Sequence, residues 1–119
     1  MPSKKIVSAT LVTALAAGVL SAVPALGSRD ATTTVTVRAS EFKFVLSRSR
    51  VPKGTVIFKV TNRGSVAHAF KINGKKTPLI KRGKSATLRV VFTRAKKYPY
   101  LCTVPGHAAA GMKGSLTVR

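Results

Sequence analysis

Beyond residue 31 the chain alternates apolar and polar side chains over most of its length, the spacing of strands that bury one face. Val35 and Val37 mark a first strand, and Phe42, Phe44 and Leu46 share one face of a second. Val51-Pro-Lys-Gly54 then turns the chain into a run whose buried side is Val56, Phe58 and Val60. Val66, His68, Phe70 and Ile72 have a common parity, which points the His68 imidazole inward among apolar neighbours. Asn73-Gly74 between two alternating segments predicts a tight hairpin turn. After a second turn at Lys81-Arg-Gly-Lys84, Leu88, Val90 and Phe92 line another strand, Tyr98 to Cys102 form the next, and Leu116 with Val118 close the series. About seven strands, with turns roughly every 8–12 residues, predict an all-β Greek-key β-sandwich. No helical pattern or repeat interrupts the series, and Ser28 to Thr34 reads as a short disordered leader.

The amino terminus breaks the alternation. Lys4 and Lys5 precede an uncharged stretch from Ile6 to Val23, followed by Pro24-Ala25-Leu26-Gly27, the pattern of a secretory signal with a small-residue cleavage site. Residues 1–27 are therefore expected to be a signal peptide and residues 28–119 the working domain, exported to a periplasmic or extracellular location. An uncleaved membrane anchor is the rival reading, because the apolar run approaches the shortest length that spans a bilayer.

Charge narrows the partners. Lys and Arg number 22 against 2 Asp and Glu, a net charge of +20, of which only Lys4 and Lys5 leave with the signal. Such a field steers acidic proteins and anionic membrane or cell-wall surfaces toward the molecule, with rates that fall as salt rises. The cations are scattered over Lys75, Lys76, Lys81, Arg82, Lys84, Arg94, Lys96, Lys97 and others, with no recognition helix or stacking platform, so no specific nucleic-acid role is expected. A monomer that meets acidic partners is the expectation. With only Asp30 and Glu41 to serve as carboxylates, acid–base catalysis lacks its usual groups, and no enzyme is expected.

Candidate chemistry lies near the carboxyl end. The sequence Tyr98-Pro-Tyr-Leu-Cys102-Thr-Val-Pro-Gly-His107-Ala-Ala-Ala-Gly-Met112 carries three soft or borderline metal ligands on one short loop, and His68 supplies a fourth upstream. The chain has 1 Cys, 2 His and 2 Met, one of them the initiator, so every other soft ligand is included. Pro105 and Gly106 before His107, with Gly111 and Gly114 around Met112, give the loop the backbone angles it needs to fold back on itself. Two imidazoles, one thiolate and one thioether accommodate both Cu(I) and Cu(II), whereas zinc favours four strong tetrahedral ligands. One copper ion is the expected cofactor.

These segments resemble the copper loop of cupredoxins, especially small blue copper proteins of the plastocyanin and amicyanin type. The resemblance is specific in Tyr100 to Gly114 and in Asn62-Arg-Gly64-Ser-Val-Ala-His68. It implies that His68, Cys102 and His107 are equatorial ligands of a type 1 copper, that Met112 is axial, and that electrons pass over the ring edge of His107 between small groups at Pro105 and Ala108 to Ala110. Many relatives place Asn or Asp directly after the first His to tie the two ligand loops together; here that position is Ala69. The implied function is extracytoplasmic one-electron transfer. Copper delivery or sequestration uses the same ligands and stays open, and a basic polyanion-binding domain is the third reading.

Overall fold

A computed structural model describes residues 32–119, in which nine strands form two sheets. They are β1 (Thr32–Ser40), β2 (Lys43–Leu46), β3 (Arg50–Val51), β4 (Gly54–Asn62), β5 (Phe70–Ile72), β6 (Lys75–Lys76), β7 (Ser85–Phe92), β8 (Lys96–Cys102) and β9 (Lys113–Val118). One sheet runs β2-β1-β4-β7 and the other β3-β9-β8-β5-β6. Pairings are antiparallel except β1 with β4 and β3 with β9. The expected all-β sandwich is therefore present. The expected signal segment, residues 1–27, lies outside the described residues.

The period-two pattern finds its cause in the core between the sheets. Val35 and Val37, Val56, Phe58 and Val60, Phe70 and Ile72, Val90 and Phe92, Leu116 and Val118 are all buried in one cluster. Phe58 touches Phe70 and Phe92 with ring centroids at 5.1 and 6.3 Å, and Phe92 meets Tyr98 at 4.7 Å. Each such buried apolar side chain contributes about 1.5–3 kcal/mol by leaving water. Asn73 and Gly74 take φ values of 50° and 75°, the mirror-image turn foreseen between β5 and β6.

Four expectations need correction. The count is nine strands because β3 and β6, each two residues long, are edge pieces too short to show a period. Thr32 to Thr34, assigned to a leader, pair with Thr55 to Ile57 and begin β1. Phe42 does not join Phe44 and Leu46 on a buried face, because it sits in the turn between β1 and β2 and is 43% exposed. Val66, 46% exposed, leaves the parity of His68 because residues 63–69 form a loop rather than a strand.

Candidate metal centre

Three reversals of the chain meet where β1, β4 and β8 end: the turn at Glu41 and Phe42, the loop 63–69 and the loop 103–112. Cys102 is the last residue of β8, paired with Phe70 across the sheet and 2% exposed. Its backbone N–H donates to the Met112 carbonyl at 3.0 Å, closing the loop at its base. Inside the loop the N–H of His107 donates to the Val104 carbonyl and that of Met112 to the His107 carbonyl, both at 3.1 Å. Gly106 and Gly111 take φ values of 84° and 114°, a region that favours glycine, and thereby turn His107 back over Cys102. Met112 is fully buried in a small apolar cluster with Ala39 and Cys102, flanked by Phe44 and Val104.

His68 is held from the opposite side. Its N–H and C=O pair with Ile80 at 3.1 and 2.7 Å, an isolated bridge that replaces strand pairing. Asn62, fully buried, braces the same loop: Nδ2 donates to the carbonyls of Val66 and Ile80, and Oδ1 accepts from the Gly64 N–H, all at 2.8 Å. Loop rigidity thus comes from Asn62 although Ala69 offers no side-chain tie.

The result is a convergence of donor atoms. His68 Nδ1 and His107 Nδ1 are 3.2 Å apart, and Cys102 Sγ lies 3.9 and 3.5 Å from them. The centre of that triangle is about 2.1 Å from each corner, against typical metal–nitrogen and metal–sulfur bonds of about 2.0–2.1 and 2.3 Å. Two imidazoles and a thiol therefore enclose a space the size of one metal ion. With Met112 buried beside Cys102, the donor set fits copper. His68, Cys102 and His107 come together as expected, and Met112 packs against the group.

Sequence reasoning missed the supports. Glu41 Oε2 lies 2.6 Å from His68 Nε2. A carboxylate accepts only, so Nε2 carries the proton and Nδ1 keeps its lone pair toward the other donors. Glu41 is itself fixed by the Ser65 N–H at 2.9 and 3.2 Å and by the Ser65 hydroxyl at 2.9 Å. The Ser65 N–H, then His68 and the Ser65 hydroxyl, lower its pKa to about 2. Next to it, the Phe42 ring packs edge-on against His107 at 5.0 Å. For Asn62 a signal existed: it continues the inward parity of Val56, Phe58 and Val60 as a polar residue, and buried amides exist to make hydrogen bonds.

His107 is half-buried and borders a cavity of about 490 Å³ with an apolar rim of Phe42, Val66, Leu79, Val104 and Pro105. Ala108 to Ala110 are not among the residues that line this cavity, and Ala109 and Ala110 are exposed.

Comparison with known proteins agrees with this geometry. The model of the copper binding proteins of the plastocyanin/azurin family matches residues 31–119. Among solved structures, reduced auracyanin from Roseiflexus castenholzii is 20% identical over 73% of this chain and 97% of its own, with a TM-score of 0.63. Rusticyanin from Thiobacillus ferrooxidans is 23% identical over 74% of this chain and 77% of its own, also at 0.63. Among curated proteins, the copper-resistant cuproprotein CopI of Pseudomonas aeruginosa is 49% identical over 41 residues, 34% of this chain. The match spans 23% of the length of that relative.

Proposed function

We propose, from the premise that the chain belongs to the plastocyanin/azurin family of copper-binding proteins, that it is an exported blue copper protein carrying single electrons. His68, Cys102 and His107 hold the ion, and Met112 is the weak fourth ligand. The observation that carries this reading is the triangle of two imidazole nitrogens and one sulfur, sized for a single ion and bordered on the His107 side by an apolar cavity. Bound there, copper supplies a one-electron couple between its monovalent and divalent states. Each donor is fixed by backbone bonds made without it: Cys102 by β8, His68 by Ile80 and Asn62, His107 by the loop turn. Small rearrangement between oxidation states follows from such a frame. Phe42, Val66 and Leu79 around His107 let a partner exclude water at the ring edge.

Residues 1–27 act in this reading as the secretory signal of a domain spanning 28–119. The excess of basic residues that this domain keeps favours acidic redox partners and anionic membrane or wall surfaces, the protein itself being a monomer that transforms no substrate. The test is the visible spectrum of the oxidised, copper-loaded protein. Intense thiolate-to-copper colour, lost in Cys102→Ser, is expected, and Met112→Leu should keep the colour and raise the potential; a colourless copper-loaded protein refutes the reading. The likeness to CopI, named for copper resistance, favours copper handling as a second reading. Release of copper to a competing ligand faster than electron self-exchange would select it.

A further inference from the structure

We propose that Glu41 is a positioning residue for His68, and that its carboxylate selects the imidazole tautomer and biases the site toward the divalent ion; this rests on the copper reading above. Three observations meet here. Glu41 Oε2 lies 2.6 Å from His68 Nε2, the nitrogen turned away from Cys102 and His107. Ser65 grips the same carboxylate through its N–H and hydroxyl, so the group is aimed rather than swinging in solvent. Gly64 leaves the room: a Cβ there would overlap the Glu41 carboxylate. Glu41 is also one of only 2 acidic side chains in a chain with 22 basic ones.

The physical effect follows from charge. An imidazole that donates one N–H to a carboxylate presents its other nitrogen as a fixed and more basic donor. That donor interacts more strongly with a doubly charged ion than with a singly charged one. Glu41 therefore stabilises the oxidised site more than the reduced site and lowers its reduction potential. A partner that only shaped the loop would weaken both oxidation states alike.

Two variants separate charge from geometry. Glu41→Gln keeps an acceptor for His68 Nε2 and removes the charge. Gly64→Ala keeps the charge and pushes the carboxylate aside, at small backbone cost because the displaced atoms end a flexible side chain. In the copper-loaded protein, Glu41→Gln is expected to lose about tenfold in Cu(II) affinity with Cu(I) affinity unchanged, a rise of about 59 mV in potential. Gly64→Ala should raise the potential by a smaller amount. In the metal-free protein, nitrogen NMR should find His68 protonated on Nε2 in the wild type and a mixture of tautomers in Gly64→Ala. A blue Glu41→Gln protein whose potential does not move, or equal losses of Cu(I) and Cu(II) affinity, overturns the proposal. Wild-type protein that takes up copper without colour overturns the reading of the site, and this inference with it.

Discussion

Removing the amide of Asn62 tests how the frame holds His68. The side chain is fully buried and makes three hydrogen bonds of 2.8 Å. In Asn62→Ala the Ile80 carbonyl keeps the N–H of His68, but the Gly64 N–H and the Val66 carbonyl lose the partners described. Three bonds at about 0.5–1.5 kcal/mol each give a loss of about 3 kcal/mol, and two orphaned backbone groups press toward the upper end. For a domain of this size that is about 12–24 °C in Tm. The assay is thermal unfolding of the metal-free protein, where ligation cannot mask the change, with Cu(II) affinity measured alongside. Affinity should fall with stability, since the loop braced by Asn62 carries His68. A loss below about 1 kcal/mol would mean that water replaces the amide. Unchanged copper affinity beside a large stability loss would refute the link between this brace and the ligand.

Acid should act largely through one residue. The folded pKa of Glu41, about 2, is below its ordinary 4.5, so its contribution to stability is complete above about pH 4.5 and is lost as pH falls toward 2. Denaturant unfolding of the metal-free protein across that range should show a steeper loss in wild type than in Glu41→Gln; equal slopes contradict the assignment. Charge and the His107 surface can be read together in electron self-exchange. Copies bearing so large an excess of basic residues repel, so the rate between identical molecules should rise with added salt, whereas exchange with an acidic partner should fall. Leu79→Lys, at a side chain 63% exposed on the rim of the His107 cavity, should slow self-exchange by about tenfold with Tm and visible spectrum unchanged. An unaltered rate would place the electron route elsewhere.

What could be read from sequence divides along physical lines. Strand periodicity is local, so Val35, Phe58, Val90 and Leu116 declared their buried face without knowledge of the partner sheet. The ligands were legible for another reason: Cys and His are so few here that their types and spacing carry the chemistry. Strands β3 and β6 were not legible, because two residues cannot display a period and what defines them is pairing with β9 and β5. Glu41 and Phe42 were hidden differently. Each reaches a histidine far along the chain, and their neighbours in sequence suggested a second strand with Phe42 inside. Only the closing of β1 against β4 brings the Glu41 turn beside the loop that carries His68. Composition nevertheless held a pointer. In a chain with 2 acidic residues against 22 basic ones, Glu41 is one of two carboxylates that lower the positive charge. Its three contacts to Ser65 and one to His68 locate the compensating gain at the metal pole. Scarcity, which identified the ligands, narrowed their carboxylate support to Asp30 and Glu41, and the contact to His68 belongs to Glu41.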